Sequence, residues 1–165
     1  MVMDLIEILH TALNRIHEAR LFATERGYQG QLRGEIDNLI GERNALLRPL
    51  VEEEHQKRLG DHGTRLRPDI IVHVPYERGV SPTRRHDNYL VILLKLSAGR
   101  SKAHEDFDRL ARMCSALDYP LAAFVNVSST HLWLPAYERP QGPFTLFEFA
   151  VTLVDGKPHI VSSNA

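Results

Sequence analysis

The chain has 165 residues, 43% hydrophobic and 25% charged, which is the balance of an ordinary globular domain with one core. Its 20 basic and 21 acidic side chains give a formal charge of −1, so no strong overall field selects a polyanionic partner. The single cysteine, Cys114, excludes an intramolecular disulfide, and no apolar run approaches the ~18 residues of a membrane span. We therefore expect one domain over residues 1–165, without membrane contact, in a reducing cytoplasmic setting.

The N-terminal part of the chain predicts two helices. Apolar residues at spacings of three and four over residues 4–26 indicate one long amphipathic helix. Three glycines interrupt the pattern, which resumes over residues 31–47 and ends before Pro49. Residues 50–58 are compatible with a short strand or with a continuation of the helix.

The remainder predicts strands, one helix and a hairpin. Residues 69–74 and 89–96 are short aliphatic runs typical of strands, and the second is continuous enough for a central strand. Later segments predict a helix at 101–117, a strand at 121–127, and a C-terminal β-hairpin of 144–154 and 157–162 that turns at Asp155-Gly156. The expected fold class is α/β, a mixed β-sheet flanked by helices.

Lys95 is unusual because it ends an aliphatic strand and is one of only 4 lysines beside 16 arginines. A lysine there costs desolvation unless its ammonium reaches a cleft, a carboxylate or solvent. Strand alternation places Asp69 and His73 on one face of the first strand, and Leu93 and Lys95 on one face of the second. If the strands are adjacent, Asp69 and Lys95 converge at one edge of the sheet. The alternative is a lysine that only reaches solvent.

These residues resemble the PD-(D/E)XK nuclease superfamily, which has the restriction-endonuclease-like fold. Pro68-Asp69 and Leu93-Leu94-Lys95 occupy the two motif positions, and the downstream helix and strand follow in the order of that fold. The resemblance covers residues 31–127. It implies a nuclease-like core there, a helical extension at 1–30, and a strand and hairpin segment at 128–165.

The resemblance also implies a phosphodiester site. In it Asp69 is the principal Mg²⁺ ligand, Lys95 positions the attacking water, and Glu35, from the preceding helix, is an auxiliary catalytic acid and metal ligand. Family members carry an acid two residues before the lysine, whereas this chain has Leu93, which offers no oxygen to a hard cation.

Leu93 leaves two interpretations open. The acid has migrated, or the fold is kept and cleavage is lost. The candidates for a migrated acid are Glu35, Glu54, Asp87, Glu105 and Asp108.

We expect the partner to be nucleic acid, DNA in preference to RNA. Phosphate contacts are expected from His73 and from the basic loop between the two strands, at Arg78, Arg84 and Arg85. Trp133 can stack on a base or pack beneath the hairpin. The alternative function is a non-catalytic interaction or structural subunit that forms a homodimer through the N-terminal helix or the hairpin edge.

Overall fold

The computed structural model describes residues 2–43, 49–53, 66–74 and 88–165, which contain one six-stranded sheet whose strand order follows the chain. The strands are β1 (Leu50–Glu53), β2 (Ile70–His73), β3 (Asn88–Leu96), β4 (Leu121–Val127), β5 (Thr145–Val154) and β6 (Lys157–Asn164). Strands β1 to β3 are antiparallel, β3 to β5 are parallel, and β6 is antiparallel to β5. The predicted α/β class with a mixed sheet is confirmed.

Helices cover both faces of this sheet. The helices α1 (Val2–Arg15) and α2 (Glu25–Arg43) pack on one face, and α3 (Arg100–Leu117) packs on the other. Strand β3 divides its residues between the two cores, with Ile92 and Leu94 towards α1 and α2, and Val91 and Leu93 towards α3. None of the helices in the described ranges is both long and apolar enough to cross a membrane.

The prediction of one helix over residues 4–26 is wrong. Helix α1 ends at Arg15, and a separate 3₁₀ helix occupies Ala19–Ala23. Ile16 and Phe22 are both buried, whereas Ala19 between them is exposed, so only part of the apolar pattern faces the core. Positions 16, 19 and 22 are three residues apart, which is the period of a 3₁₀ helix as well as a spacing found in α-helices. Apolar spacing alone therefore could not show where α1 stops.

The predicted second helix begins too late, because α2 starts at Glu25 and contains the glycines that were expected to interrupt it. The Thr24 hydroxyl accepts a hydrogen bond of 3.2 Å from the Gly27 N–H, which is the usual way for a threonine to cap a helix N-terminus. A Cβ atom at Gly27 would lie 2.5 Å from that hydroxyl, so glycine suits the position. Residues 44–48 lie outside the described ranges.

The remaining elements agree closely with their predictions. Residues 50–53 form a strand, whereas 54–58 lie outside the described ranges. The C-terminal hairpin turns at Asp155 and Gly156, whose φ angles of 51° and 73° are those of a turn that matches the twist of paired strands. Cys114 is buried on α3, and burial raises the pKa of its thiol to about 12, which leaves it an inert core residue.

Candidate functional site

Asp69 lies immediately before β2 and bonds to the neighbouring strand. Its Oδ2 accepts a hydrogen bond of 2.7 Å from the Leu94 N–H, and its own N–H donates to the Ile92 carbonyl at 3.1 Å. The carboxylate thus accepts the Leu94 N–H of β3 at a position just before β2 begins. Because Leu94 precedes Lys95, the structure brings the two predicted motif residues to the same end of the β2–β3 pair.

The two side chains also belong to one face of the sheet. Ile70 is opposite Ile92 in the antiparallel register, and both pack towards α1 and α2. Leu93 packs towards α3, and alternation from it assigns Lys95 to that same face. Asp69, one residue before Ile70, is assigned to the α3 face by the same argument.

Lys95 has an acidic partner that the sequence did not identify. Its Nζ lies 3.1 Å from Oε1 of Glu25, the first residue of α2, and the two side chains are 22% and 39% exposed. The ion pair is therefore partly open to solvent. The ammonium is neutralised from α2, the helix on the other face of the sheet, and not from its own strand. The pair therefore passes the end of the sheet, where β3 ends and α2 begins.

A polar stripe on α2, of which Glu25 is the first member, bonds the helix to the strands. Gln29 donates from Nε2 to the Asp69 carbonyl at 3.1 Å, and Arg33 donates from Nε to the Val51 carbonyl at 3.1 Å. Residues 25, 29 and 33 are four apart and so lie on one side of the helix. They contact β3, the residue before β2, and β1 in turn. The sequence contains this spacing of four, but residues 25 and 29 were not assigned to a helix because the glycines were expected to interrupt it.

The site mixes acids and cations. Burial is the main cause that raises the pKa of Asp69, and the negative charge of Glu25 raises it further. The Leu94 N–H bond, Lys95 and Arg109 oppose that shift. Arg109 is held on α3 by Asp106 at 2.6 Å and donates to the carbonyl of residue 67 at 3.4 Å. Cations on two elements, Lys95 on β3 and Arg109 on α3, therefore favour the charged form of Asp69.

Two positions that the resemblance assigns to acids, 93 and 35, supply no carboxylate to this site. Leu93 is 0% exposed and belongs to the apolar core beneath α3. Glu35 accepts a hydrogen bond of 3.0 Å from Gln31 and lies 3.8 Å from Arg15. It is ten residues beyond Glu25 on α2, about 15 Å along the helix axis, so the structure does not bring it to Lys95.

The other predicted residues lie elsewhere. His73 contacts Glu52 at the far end of β2, four residues or about 13 Å from Asp69 along the strand. Glu105 pairs with Lys102, and Asp108 accepts a hydrogen bond from the Tyr137 hydroxyl. Five predicted residues lie outside the described ranges: Glu54, Arg78, Arg84, Arg85 and Asp87.

The described residues do not fit the expected magnesium centre. Mg²⁺ requires near-octahedral oxygen coordination, and the implied site takes carboxylates from Asp69, from position 93 and from a preceding helix. Among the described residues, Asp69 and Glu25 are the carboxylates at this site, and Glu25 is already paired with Lys95. Across the described ranges, no three histidine, cysteine, aspartate or glutamate side chains converge in a group able to hold a metal.

Comparisons with protein-family models, with curated proteins and with solved structures find no match to this chain. Any functional assignment therefore rests on its own residues and geometry.

Proposed function

We propose that this chain is a nucleic-acid-binding domain with a restriction-endonuclease-like core whose metal-dependent cleavage centre is degenerate. The order of elements supports the fold assignment: a helix, three antiparallel strands, a helix, and a fourth strand parallel to the third. Asp69 immediately precedes the second strand and Lys95 lies near the end of the third, in the order of the two motif positions.

The pairing of Lys95 with Glu25 carries the functional part of the proposal. The resemblance implies an acid from the helix before the first core strand, and Glu25 on α2 is the acid that reaches the site. The strand acid is replaced by Leu93, which the α3 core buries completely. The site thus has Lys95 and two carboxylates, Asp69 and Glu25, but not the strand acid. It keeps a cation that can bind phosphate, and it lacks one ligand for a metal.

Basic side chains close in sequence to this site favour an anionic partner. Arg26 follows Glu25, Arg67 precedes Asp69 by two residues, and Arg100 opens α3; all three are exposed. Phosphate contacts of this kind supply affinity without reading sequence. The near-zero net charge is compatible with one basic face among otherwise mixed surfaces.

The test is fluorescence anisotropy with labelled single-stranded and duplex DNA and RNA, between 50 and 200 mM salt. We expect affinity to fall with salt, with a logarithmic slope of about 0.7 to 0.9 per neutralised phosphate. Lys95→Met should weaken binding. Glu25→Gln should tighten it about two- to fivefold, because the ammonium no longer has a competing carboxylate. If the ion pair were purely structural, both substitutions would change nucleic-acid affinity in the same direction.

The same samples are incubated with Mg²⁺ and Mn²⁺ to test cleavage. We expect no cleavage by the wild-type chain. Metal-dependent cleavage that is lost in Glu25→Gln and in Asp69→Asn would overturn degeneracy and assign Glu25 as a migrated acid. Absence of salt-dependent binding to every probe would overturn the nucleic-acid proposal and leave the protein-interaction subunit.

A further inference from the structure

A pocket separate from the Lys95–Glu25 pair lies at the carboxyl ends of the parallel strands. Its volume is about 320 Å³, and its lining includes hydroxyls that follow β3 and β4, one from β5, and two aromatic rings. In open α/β sheets, ligands bind in crevices beyond the carboxyl ends of strands. Ser97 begins this lining two residues after Lys95, so the pocket and the ion pair share one end of the sheet.

The aromatic part of the lining is a stacked pair of rings. The rings of His131 and Trp133 are 5.6 Å apart between centroids and tilted by only 10°. His131 is exposed and Trp133 is half-buried, so the stack is anchored at one ring and open at the other. A planar aromatic ligand can extend such a stack by offset stacking.

The segment that carries the rings is held rigidly although it lies outside the sheet. Oε2 of the buried Glu148 accepts the N–H groups of Trp133 and Leu134 at 2.8 and 2.7 Å. The Trp133 indole N–H donates to the Ala98 carbonyl at 3.1 Å, and His104 bonds to the Trp133 carbonyl. A ligand that stacks here meets rings that are already oriented.

The hydroxyls of the pocket suit a sugar and a phosphate, with the donors supplied by Ser129, Thr130 and Thr152. The Ser97 and Ser128 hydroxyls already donate to the carbonyls of Ser128 and Phe22, at 3.1 and 2.7 Å, so they offer a ligand acceptor oxygens only. Ser97 and Ser128 have φ angles of 51° and 57°, a left-handed conformation that turns the chain sharply at the ends of β3 and β4. The Ser129 hydroxyl accepts the His131 N–H at 3.2 Å, which leaves its own hydrogen to donate to a ligand. The described residues that line the pocket include no carboxylate to repel an anion.

We infer that this pocket seats one nucleotide of a single-stranded nucleic acid, with its base against the His131–Trp133 rings and its sugar-phosphate on the hydroxyls. A base paired within a duplex does not present its face for stacking, whereas an unpaired base does. The inference rests on the proposed function and extends it, because it specifies a single strand that continues from the pocket towards Lys95.

Trp133 is the chain's only tryptophan, so intrinsic fluorescence reports on this pocket directly. We would titrate the full chain with an eight-nucleotide single strand, an abasic strand of equal length, thymidine monophosphate, and a duplex. We expect the single strand to quench Trp133 and to bind at least about tenfold more tightly than the other three probes, because a stacked base contributes about 1–3 kcal/mol and the abasic strand and the duplex present no free base. His131→Ala should weaken binding at least about fivefold, the lower end of what losing a base–aromatic stack produces.

His10→Ala is the matched control. His10 is an exposed histidine that lines a different pocket, between α1 and the C-terminal hairpin, so its removal should leave affinity unchanged. Equal binding of the abasic strand, or an unaltered affinity in His131→Ala, would overturn the stacking site. Equal binding of the mononucleotide would overturn the single strand as the ligand.

Anisotropy of a labelled strand separates this inference from the proposed function. Binding that persists without a change in Trp133 fluorescence would refute the pocket and leave the proposed function standing. Binding of the duplex alone would also refute the pocket and leave the proposed function standing, whereas binding of neither single strand nor duplex by wild type would refute both.

Discussion

Leu93→Glu restores the acid that the motif resemblance expects, and its energetics can be worked from the structure. Leu93 is fully buried beneath α3, so removing its side chain costs about 2–5 kcal/mol in folding free energy. The new carboxylate is also desolvated, which raises its pKa. We therefore expect the variant to lose about 3 kcal/mol or more of unfolding free energy in the presence of a chelator.

Magnesium should return part of that loss. A carboxylate at position 93 lies on the face assigned to Asp69, two residues before Lys95, and would supply the missing ligand. A site with a dissociation constant near 1 mM gains about 1.4 kcal/mol of stability at roughly 10 mM Mg²⁺. The assay is urea unfolding of Leu93→Glu in chelator and in Mg²⁺ at equal ionic strength, with wild type unaffected by the metal.

Val91→Glu is the matched control for this experiment. Val91 is also fully buried on the α3 face, but it lies four residues from Lys95 and further into the strand. It should lose comparable stability and recover none with Mg²⁺. Equal recovery in both variants, or none in Leu93→Glu, would refute the view that Asp69 marks the remains of a metal centre.

Three further predictions concern single contacts. The first is a double-mutant cycle on Glu25→Gln and Lys95→Met, measured by urea unfolding. Because the pair is partly exposed, the coupling free energy should be about 0.5–1 kcal/mol. A coupling near zero would contradict the contact. Because burial raises the pKa of Asp69, the folded state binds that proton more tightly than the unfolded state. The stability of wild type relative to Asp69→Asn should therefore fall as pH rises from the ordinary value of 3.8 through the higher folded pKa, and then level off; a rise over that window in pH-dependent unfolding would contradict the sign. Glu148→Ala should cost about 2–4 kcal/mol and red-shift Trp133 emission because it leaves two backbone N–H groups unpaired, whereas Glu148→Gln, which keeps an acceptor oxygen, should cost less; equal losses would point to packing instead.

The strands and α3 could be predicted because their signals are local. A buried central strand such as β3 needs a continuous aliphatic run, and the hairpin needs two residues that accept positive φ. The end of α1 could not be predicted from apolar spacing, because the 3₁₀ helix that follows preserves a spacing of three. The start of α2 depends on one hydroxyl, that of Thr24, which apolar spacing does not register.

The error at the start of α2 explains why Glu25 was not predicted as the partner of Lys95. With the helix assumed to begin near residue 31, Glu35 was its first acid. The cap at Thr24 brings Glu25 into the helix. Glu25 precedes Glu35 by ten residues and so lies at the other end of α2, close to Lys95. Asp69 and Lys95 were predictable because strand alternation is strict, whereas the partner of Lys95 depended on the position of a helix terminus.

The charge balance at Lys95 explains why a site without the strand acid should bind phosphate only weakly. The Asp69 carboxylate already accepts the Leu94 N–H, so it neutralises Lys95 only in part. With a leucine at position 93, the remaining compensation for a half-buried ammonium comes from Glu25. A phosphate that approaches Lys95 must displace that carboxylate, and the cost of doing so is subtracted from its affinity. For this reason Glu25→Gln should strengthen nucleic-acid binding even though it removes a contact of the folded protein.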